Sequence, residues 1–249
     1  MEYKIEKLAD LEIIKVTLEG RPNHLERKDI YPQAISELNR SGYNRLLFDV
    51  SRLILSSGYK DDKSIEMAHY MKEFEVPKNT KLAFLNTEIL LTQTTFLAIA
   101  QVINEDMNIR LFTNYGSAIN WLVGIKPYEI NWEKNGVLVR FLNRFDYNAN
   151  VNANIDLYKD PRCKYITYAI WDTSKISEYF LTEDELNLIA GQGRGKSLSV
   201  PKIKMAFFTP DKNLRSICEQ CCAFCQSRQA SWEFMVSDSM KSIRTWVIS

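Results

Sequence analysis

The 249-residue chain carries 32 Lys and Arg against 31 Asp and Glu, with 45% hydrophobic and 25% charged residues. So even a balance supplies no field that would draw nucleic acid or an anionic membrane, and neither partner is expected. No stretch approaches the roughly 18 uninterrupted apolar residues of a membrane span, and "MEYKIEKLADLEII" lacks the basic head and long apolar run of a secretory leader. Of the five Cys, four fall between Cys218 and Cys225, which is no disulfide framework. A reducing, cytoplasmic location is therefore expected.

In chain order, residues 3–8 (YKIEKL) and 11–20 (LEIIKVTLEG) alternate or run apolar, as a strand pair does. Pro32 to Ser41 reads as a helix with Pro in its first turn and Gly42 at its end. RLLFDV (45–50) is a β-rich run. KDDKSIEMAHYMKEF (60–74) has helical periodicity, with Ile65, Ala68, Met71 and Phe74 on one side. KLAFL (81–85) reads as a buried strand, residues 92–103 as a nearly all-apolar helix, NIRLFT (108–113) as a strand and GSAINWLV (116–123) as a last helix. The order β-β-α-β-α-β-α-β-α predicts an α/β sheet with helical crossovers. After the Pro/Gly break of GIKPYEI (124–130) the same order returns. Its strands lie near 128–134, 137–143, 164–172, 202–208 and 231–236, and its helices near 151–159, 182–190, 213–226 and 240–247.

This recurrence extends to residues. LLFDVSRL (46–53) matches AIWDTSKI (169–176), and KLAFL matches KMAFF (204–208). Both pairs are 123 residues apart, and Trp121 stands 125 residues before Trp246. Landmarks that keep their order and spacing indicate two copies of one domain, 1–124 and a diverged 125–249.

Four features in each copy carry a resemblance to the STAS fold, specifically the SpoIIAA-like family. They are the Asp read as ending the central strand with Ser two residues on (Asp49 and Ser51; Asp172 and Ser174), the KLAF/KMAF strand, the following apolar helix, and the terminal Trp. The resemblance implies two tandem STAS-like domains, each a mixed, mostly parallel sheet with helical crossovers. It also implies a non-enzymatic binding or regulatory module. In that family a Ser in an Asp-Ser-Ser/Thr-Gly motif at the next helix is phosphorylated to switch partner binding. Here Ser56, Ser57 and Gly58 resemble that motif, with Leu55 where the family has Asp. The second copy has no Ser-Ser-Gly and offers only Thr182 at a helix start. A phosphate there would meet the free N–H groups and positive dipole end of a helix. A Ser beside Gly is also what a turn or cap requires, and that reading stands ahead of a switch.

Other motifs yield to their context. AGQGRGKS (190–197) fits a loose phosphate-loop pattern, which needs a strand before it and a helix after it. It follows TEDELNLIA, where Thr182 and Glu185 form a capping box, and Pro201 and a strand come soon after. It is therefore expected to be a glycine-rich helix-to-strand loop and not a nucleotide site. On a helix, Cys218 and Cys225 would stand about 10 Å apart along the axis, too far to share one metal. Their counterparts Thr95, Ala98, Ile99 and Val102 are small or apolar. Core packing is expected, with no metal and no cofactor. His24 and His69 have no neighbouring nucleophile in sequence, and Asp61-Asp62 and Glu183-Asp184 read as helix-capping charge. Asp49 and Asp172 lie where α/β sheets bind ligands, and a local hydrogen bond is the competing role.

The expected function is a non-enzymatic binding or regulatory protein whose protein partner meets residues around Asp49–Gly58 and Asp172–Thr182. The two domains are candidates for an internal pseudo-dimer. The alternative is a carrier of a lipid or other small apolar ligand, with residues 90–103 lining the cavity.

Overall fold

The computed structural model describes residues 2–21, 24–54, 77, 79–86, 108–200 and 202–249, without the side chains of 24–28 and 199. The predicted helices at 60–74 and 92–103, and with them Ser56, Ser57, Gly58, His69 and the proposed carrier helix, lie outside the described residues. The chain divides into two compact units, Met1–Ile125 and Lys126–Ser249.

In the first unit β1 (Glu2–Leu8), β2 (Ile13–Gly20), β3 (Arg45–Leu53), β4 (Lys81–Leu85) and β5 (Asn108–Phe112) form one sheet in that spatial order. The β1–β2 pair is antiparallel and the rest parallel. Side chains alternate across it, as the period of two in a strand requires. Ile14, Val16, Leu46, Phe48, Leu82 and Phe84 face α1 (His24–Ser41). Ile13, Leu47, Ala83 and Leu85 face α2 (Tyr115–Val123). The first helix starts eight residues ahead of its predicted Pro32, which therefore lies inside it. The buried stripe Ile30, Tyr31, Ala34 and Leu38 spans the proline, so packing holds the helix across the missing N–H. Gly124, at φ 90°, terminates α2 in the left-handed region that favours glycine.

The second unit repeats the plan. Its sheet, in spatial order β10-β9-β8-β7-β6, comprises β6 (Tyr128–Trp132), β7 (Gly136–Asp146), β8 (Tyr168–Phe180), β9 (Lys204–Phe208) and β10 (Glu233–Ser237). β6 is antiparallel to β7 and the remaining pairs are parallel. α3 (Tyr147–Lys159), α4 (Glu183–Ser199), α5 (Lys212–Ser227) and α6 (Met240–Ile248) complete it. Each unit is thus α/β with a mixed, mostly parallel sheet, as the resemblance implied. The pairing itself is duplicated at the 123-residue offset. Val16↔Phe48↔Phe84 in one sheet corresponds to Val139↔Trp171↔Phe207 in the other.

A second duplicated device anchors the last helix. Lys81 donates to the carbonyls of Trp121 and Leu122 at 2.9 and 3.2 Å and lies 5.5 Å from the Trp121 ring centroid. Lys204 donates to the carbonyl of Trp246 at 3.0 Å and lies 5.4 Å from its ring. A cation at a helix C-terminus satisfies orphan carbonyls and the dipole together.

The structure overturns the loop reading of AGQGRGKS. The segment is helical within α4, which begins in the predicted Thr182–Glu185 capping box and runs to Ser199. Packing outweighs the poor helix propensity of glycine here. A Cβ on Gly193 would lie 3.3 Å from Cys225 Sγ, so a bare backbone lets α5 approach closely. Cys225 also donates to the carbonyl of Ala190 at 3.8 Å, and Leu186, Ala190, Cys221 and Cys225 share one apolar cluster. The four clustered Cys are all buried on α5, and burial pushes the Cys218 thiol up to about 11. At Gly195, unlike Gly193, a methyl group would meet open space, with no atom within 4 Å. Gly195→Ala is therefore expected to raise stability by about 1 kcal/mol through helix propensity. Gly193→Leu should lower it by about 2 kcal/mol through overpacking. Urea denaturation of the two variants measures both signs.

Candidate functional site

β4 and β5 end together, as do β9 and β10, and the Asp-x-Ser pairs sit at that carboxyl edge. Neither Asp ends its strand. Asp49 pairs with Leu85, the last residue of β4, and Asp172 with Phe208, the last residue of β9. There the sheet narrows. Among the described residues β3 continues beside β2 alone to Leu53, and β8 beside β7 alone to Phe180, forming a two-stranded parallel ribbon in each unit.

Both ribbons begin with a bulge at the same place. Thr17↔Asp49 is followed by Glu19↔Arg52, and Arg140↔Asp172 by Leu142↔Lys175, so the Asp-bearing strand holds one residue more. A bulge leaves a backbone N–H off the ladder. The Asp carboxylate receives it: Ser51 N lies 3.3 Å from Asp49 Oδ1, and Ser174 N lies 2.9 Å from Asp172 Oδ1. The Ser51 hydroxyl adds a 2.6 Å bond to Asp49 Oδ1. The spacing Asp-x-Ser is therefore the local chemistry of the bulge.

The second carboxylate oxygen meets a cation. Lys15 Nζ lies 3.3 Å from Asp49 Oδ2 and 5.0 Å from the Tyr115 ring. Arg140 Nε lies 2.8 Å from Asp172 Oδ2, and another Arg140 nitrogen lies 3.9 Å from Glu129. Burial would raise the Asp172 carboxyl, but the Ser174 hydroxyl, Arg140 and the Ser174 N–H together hold it below the ordinary range. Sequence reasoning missed Lys15 and Arg140. Their signal was a lone cation inside each strand, beside apolar residues in LEIIKVTLEG and VLVRFLN. The two are not equivalent positions, because Arg140 corresponds to Thr17 and Lys15 lies two residues earlier on the same face.

Thr182 is separated from this cluster. From Asp172 to Phe180 the strand runs on for about 26 Å at the usual rise per residue. Thr182 then N-caps α4: its hydroxyl oxygen accepts from Glu185 N at 3.3 Å, and its own N–H donates to Glu185 Oε2 at 2.8 Å. Near this tip Phe180 is 57% exposed, with the Arg144 guanidinium 4.9 Å above its ring and bound in turn to Asp146 at 3.0 Å. Ile54, just past the shorter ribbon, is 54% exposed. Lys196, the lysine of AGQGRGKS, lies 4.5 Å over the Tyr158 ring. Among the described residues, no three His, Cys, Asp or Glu are grouped so as to hold a metal ion, and no helix is long and apolar enough to cross a membrane.

No family matches the sequence, and no curated protein does so. Among solved structures the chain is similar to the anti-sigma factor antagonist SpoIIAA in its unphosphorylated form, at 12% identity over 49% of this chain and 98% of that one, with a TM-score of 0.34. It is likewise similar to the Bacillus cell fate determinant SpoIIAA in the phosphorylated form, at 12% identity over 48% and 98%, with a TM-score of 0.33.

Proposed function

We propose that this chain is a non-enzymatic binding protein of two STAS-like domains, with a regulatory role exercised through the ribbons at their carboxyl edges. One observation carries the reading. Each ribbon extends past its sheet and leads to a large exposed apolar side chain, Ile54 or Phe180. Phe180 with Arg144 stacked over it combines two residue types enriched in protein interfaces. The Asp carboxylates below serve the bulge and a cation. That is a structural use, and it leaves the ribbon tip as the feature offered to a protein partner.

Affinity capture from native extract tests this with wild type and Phe180→Asp. Wild type is expected to retain a partner that the variant loses by about tenfold, the weight of one good interface anchor. Circular dichroism should be unchanged, since Phe180 precedes the α4 cap and is exposed. Equal retention by both proteins, or by neither, defeats the reading.

A further inference from the structure

We propose that β1 is a self-complementary edge through which two copies of this chain pair antiparallel, about a two-fold axis at Ile5. The strand lies at the rim of the first sheet, and among the described residues it pairs only with β2. Its outward row of backbone N–H and C=O groups is a ready template for another strand. The edge is open: Tyr3 is 44% exposed, and the Lys4 and Lys7 side chains are 70% and 46% exposed. β1 contains no proline, and its register runs unbroken from Glu2↔Glu19 to Leu8↔Ile13. Only its charges remain as a guard, and they alternate in sign.

The order of those charges selects the occupant. When identical strands pair antiparallel about a perpendicular axis, facing residues share one face of the sheet, so the register is set by the residue on the axis. An axis at Lys4 sets Lys4 against itself and Glu2 against Glu6. An axis at Glu6 sets Glu6 against itself and Lys4 against Leu8. An axis at Ile5 sets Lys4 against Glu6 twice, Tyr3 against Lys7 twice, Glu2 against Leu8 twice, and Ile5 against itself. Like charges directly opposite one another destabilise, whereas opposite charges and cation–aromatic pairs stabilise. Of the three, only the Ile5 register sets no like charges against one another. Within one copy Lys4 Nζ already lies 2.6 Å from Glu6 Oε1. Pairing therefore closes a ring of four charges that alternate in sign.

The opposite face supplies room. Tyr3 donates to Gln33 Oε1 at 2.8 Å and Lys7 lies 2.7 Å from Glu37, so Tyr3, Ile5 and Lys7 point toward α1. Beside them runs a groove of about 820 Å³ between β1 and α1, lined by Ile5, Lys7, Pro32, Gln33, Ser36 and Arg40 among others. The added strand's Tyr3, Ile5 and Lys7 side chains would enter it, in the manner of strand addition beneath a flanking helix.

Sedimentation equilibrium of the full chain tests the pairing. The weight-average mass of wild type should rise with concentration toward twice 29.0 kDa. Lys4→Glu sets carboxylates against each other, and Glu6→Lys does the same with ammonium groups. Each should weaken self-association by about tenfold or more. An equimolar mixture of the two single variants should associate again, because one copy then presents two acids and the other two bases. The double variant Lys4→Glu/Glu6→Lys should also associate, since it preserves the complementarity within each pair. Lys4 is largely solvent-facing and Glu6 is about one-third exposed, and circular dichroism verifies that each variant is folded. A wild type that stays monomeric, single variants that associate like wild type, or a mixture that fails to recover would each overturn the proposal. Capture of a foreign peptide by an edge that does not self-associate would do the same.

Discussion

Gly136→Ala is expected to cost about 3 kcal/mol of stability, far more than one added methyl group does at an open site. Gly136 starts β7 and pairs with Tyr168 of β8. A Cβ there would clash with the Tyr168 ring, 2.3 Å from its Cε2 and 2.5 Å from its Cδ2 and Cζ. The ring has no easy retreat. It is buried, and its hydroxyl donates to Glu133 Oε2 at 2.6 Å. Glu133 in turn grips Arg244 of α6, with Oε1 accepting at 2.7 Å, and this guanidinium bond is the main reason its carboxyl is held below the ordinary range. Displacing the ring therefore disturbs the link between the β6–β7 turn and the last helix as well as the packing. At the 123-residue offset the first unit has Ile13 and Arg45, so bulk on one strand is exchanged for a ring on its neighbour. The check is urea denaturation of Gly136→Ala against Gly136→Ala/Tyr168→Val. The second change should return part of the loss, because residues in contact couple. Purely additive costs would mean that the ring is not the obstacle.

The same exchange shows what a repeated sequence makes legible. The doubling, the α/β class and the central strands all follow from motifs 123 residues apart, because strand cores tolerate only apolar residues in alternation. KLAFL and KMAFF occupy β4 and β9 residue for residue. Four features escaped. Gly191, Gly193 and Gly195 read as a loop on propensity, yet the close approach of α5 to Gly193 keeps them helical. Pro32 read as a helix start, yet the buried residues on both sides of it carry α1 across. Asp49 and Asp172 read as strand ends, because an acid after an apolar run marks a boundary when the partner is unseen. Once the bulge is known, the Asp and the Ser two residues later form a single unit that lets the strand continue. The cations Lys15 and Arg140 were visible as residues, but their pairing depends on register, which periodicity alone does not reveal.

Asp172→Ala is expected to destabilise the second unit by about 3 kcal/mol, the low end for removing one partner of a buried ion pair, because Arg140 stays about one-third exposed. Three losses combine. The Ser174 N–H at the bulge loses its acceptor, and the Arg140 guanidinium loses a partner at 2.8 Å and keeps Glu129 only at 3.9 Å. A cavity also opens beside a residue that is 2% exposed. Asp49→Ala should cost less, about 2 kcal/mol, because Lys15 is a flexible point charge that water rehydrates more easily than a fixed fork. Asp172→Asn keeps an acceptor for Ser174 and should fall between wild type and Asp172→Ala. The pH dependence has a definite sign. The folded carboxyl titrates below its ordinary 3.8, so its contribution is complete above that value and is lost as pH falls through the lower, folded one. Glu133, also held low, adds a loss in the same direction as pH falls below its ordinary 4.5. Four of the five Trp, residues 132, 171, 232 and 246, lie in the second unit, so tryptophan fluorescence during urea denaturation reports mainly that unit. Wild type should weaken from about pH 5 toward pH 3, and Asp172→Asn should weaken less steeply. Equal slopes, or an Asp172→Ala cost no larger than the roughly 0.5 kcal/mol of an ordinary surface change, would show that the bulge holds without its carboxylate.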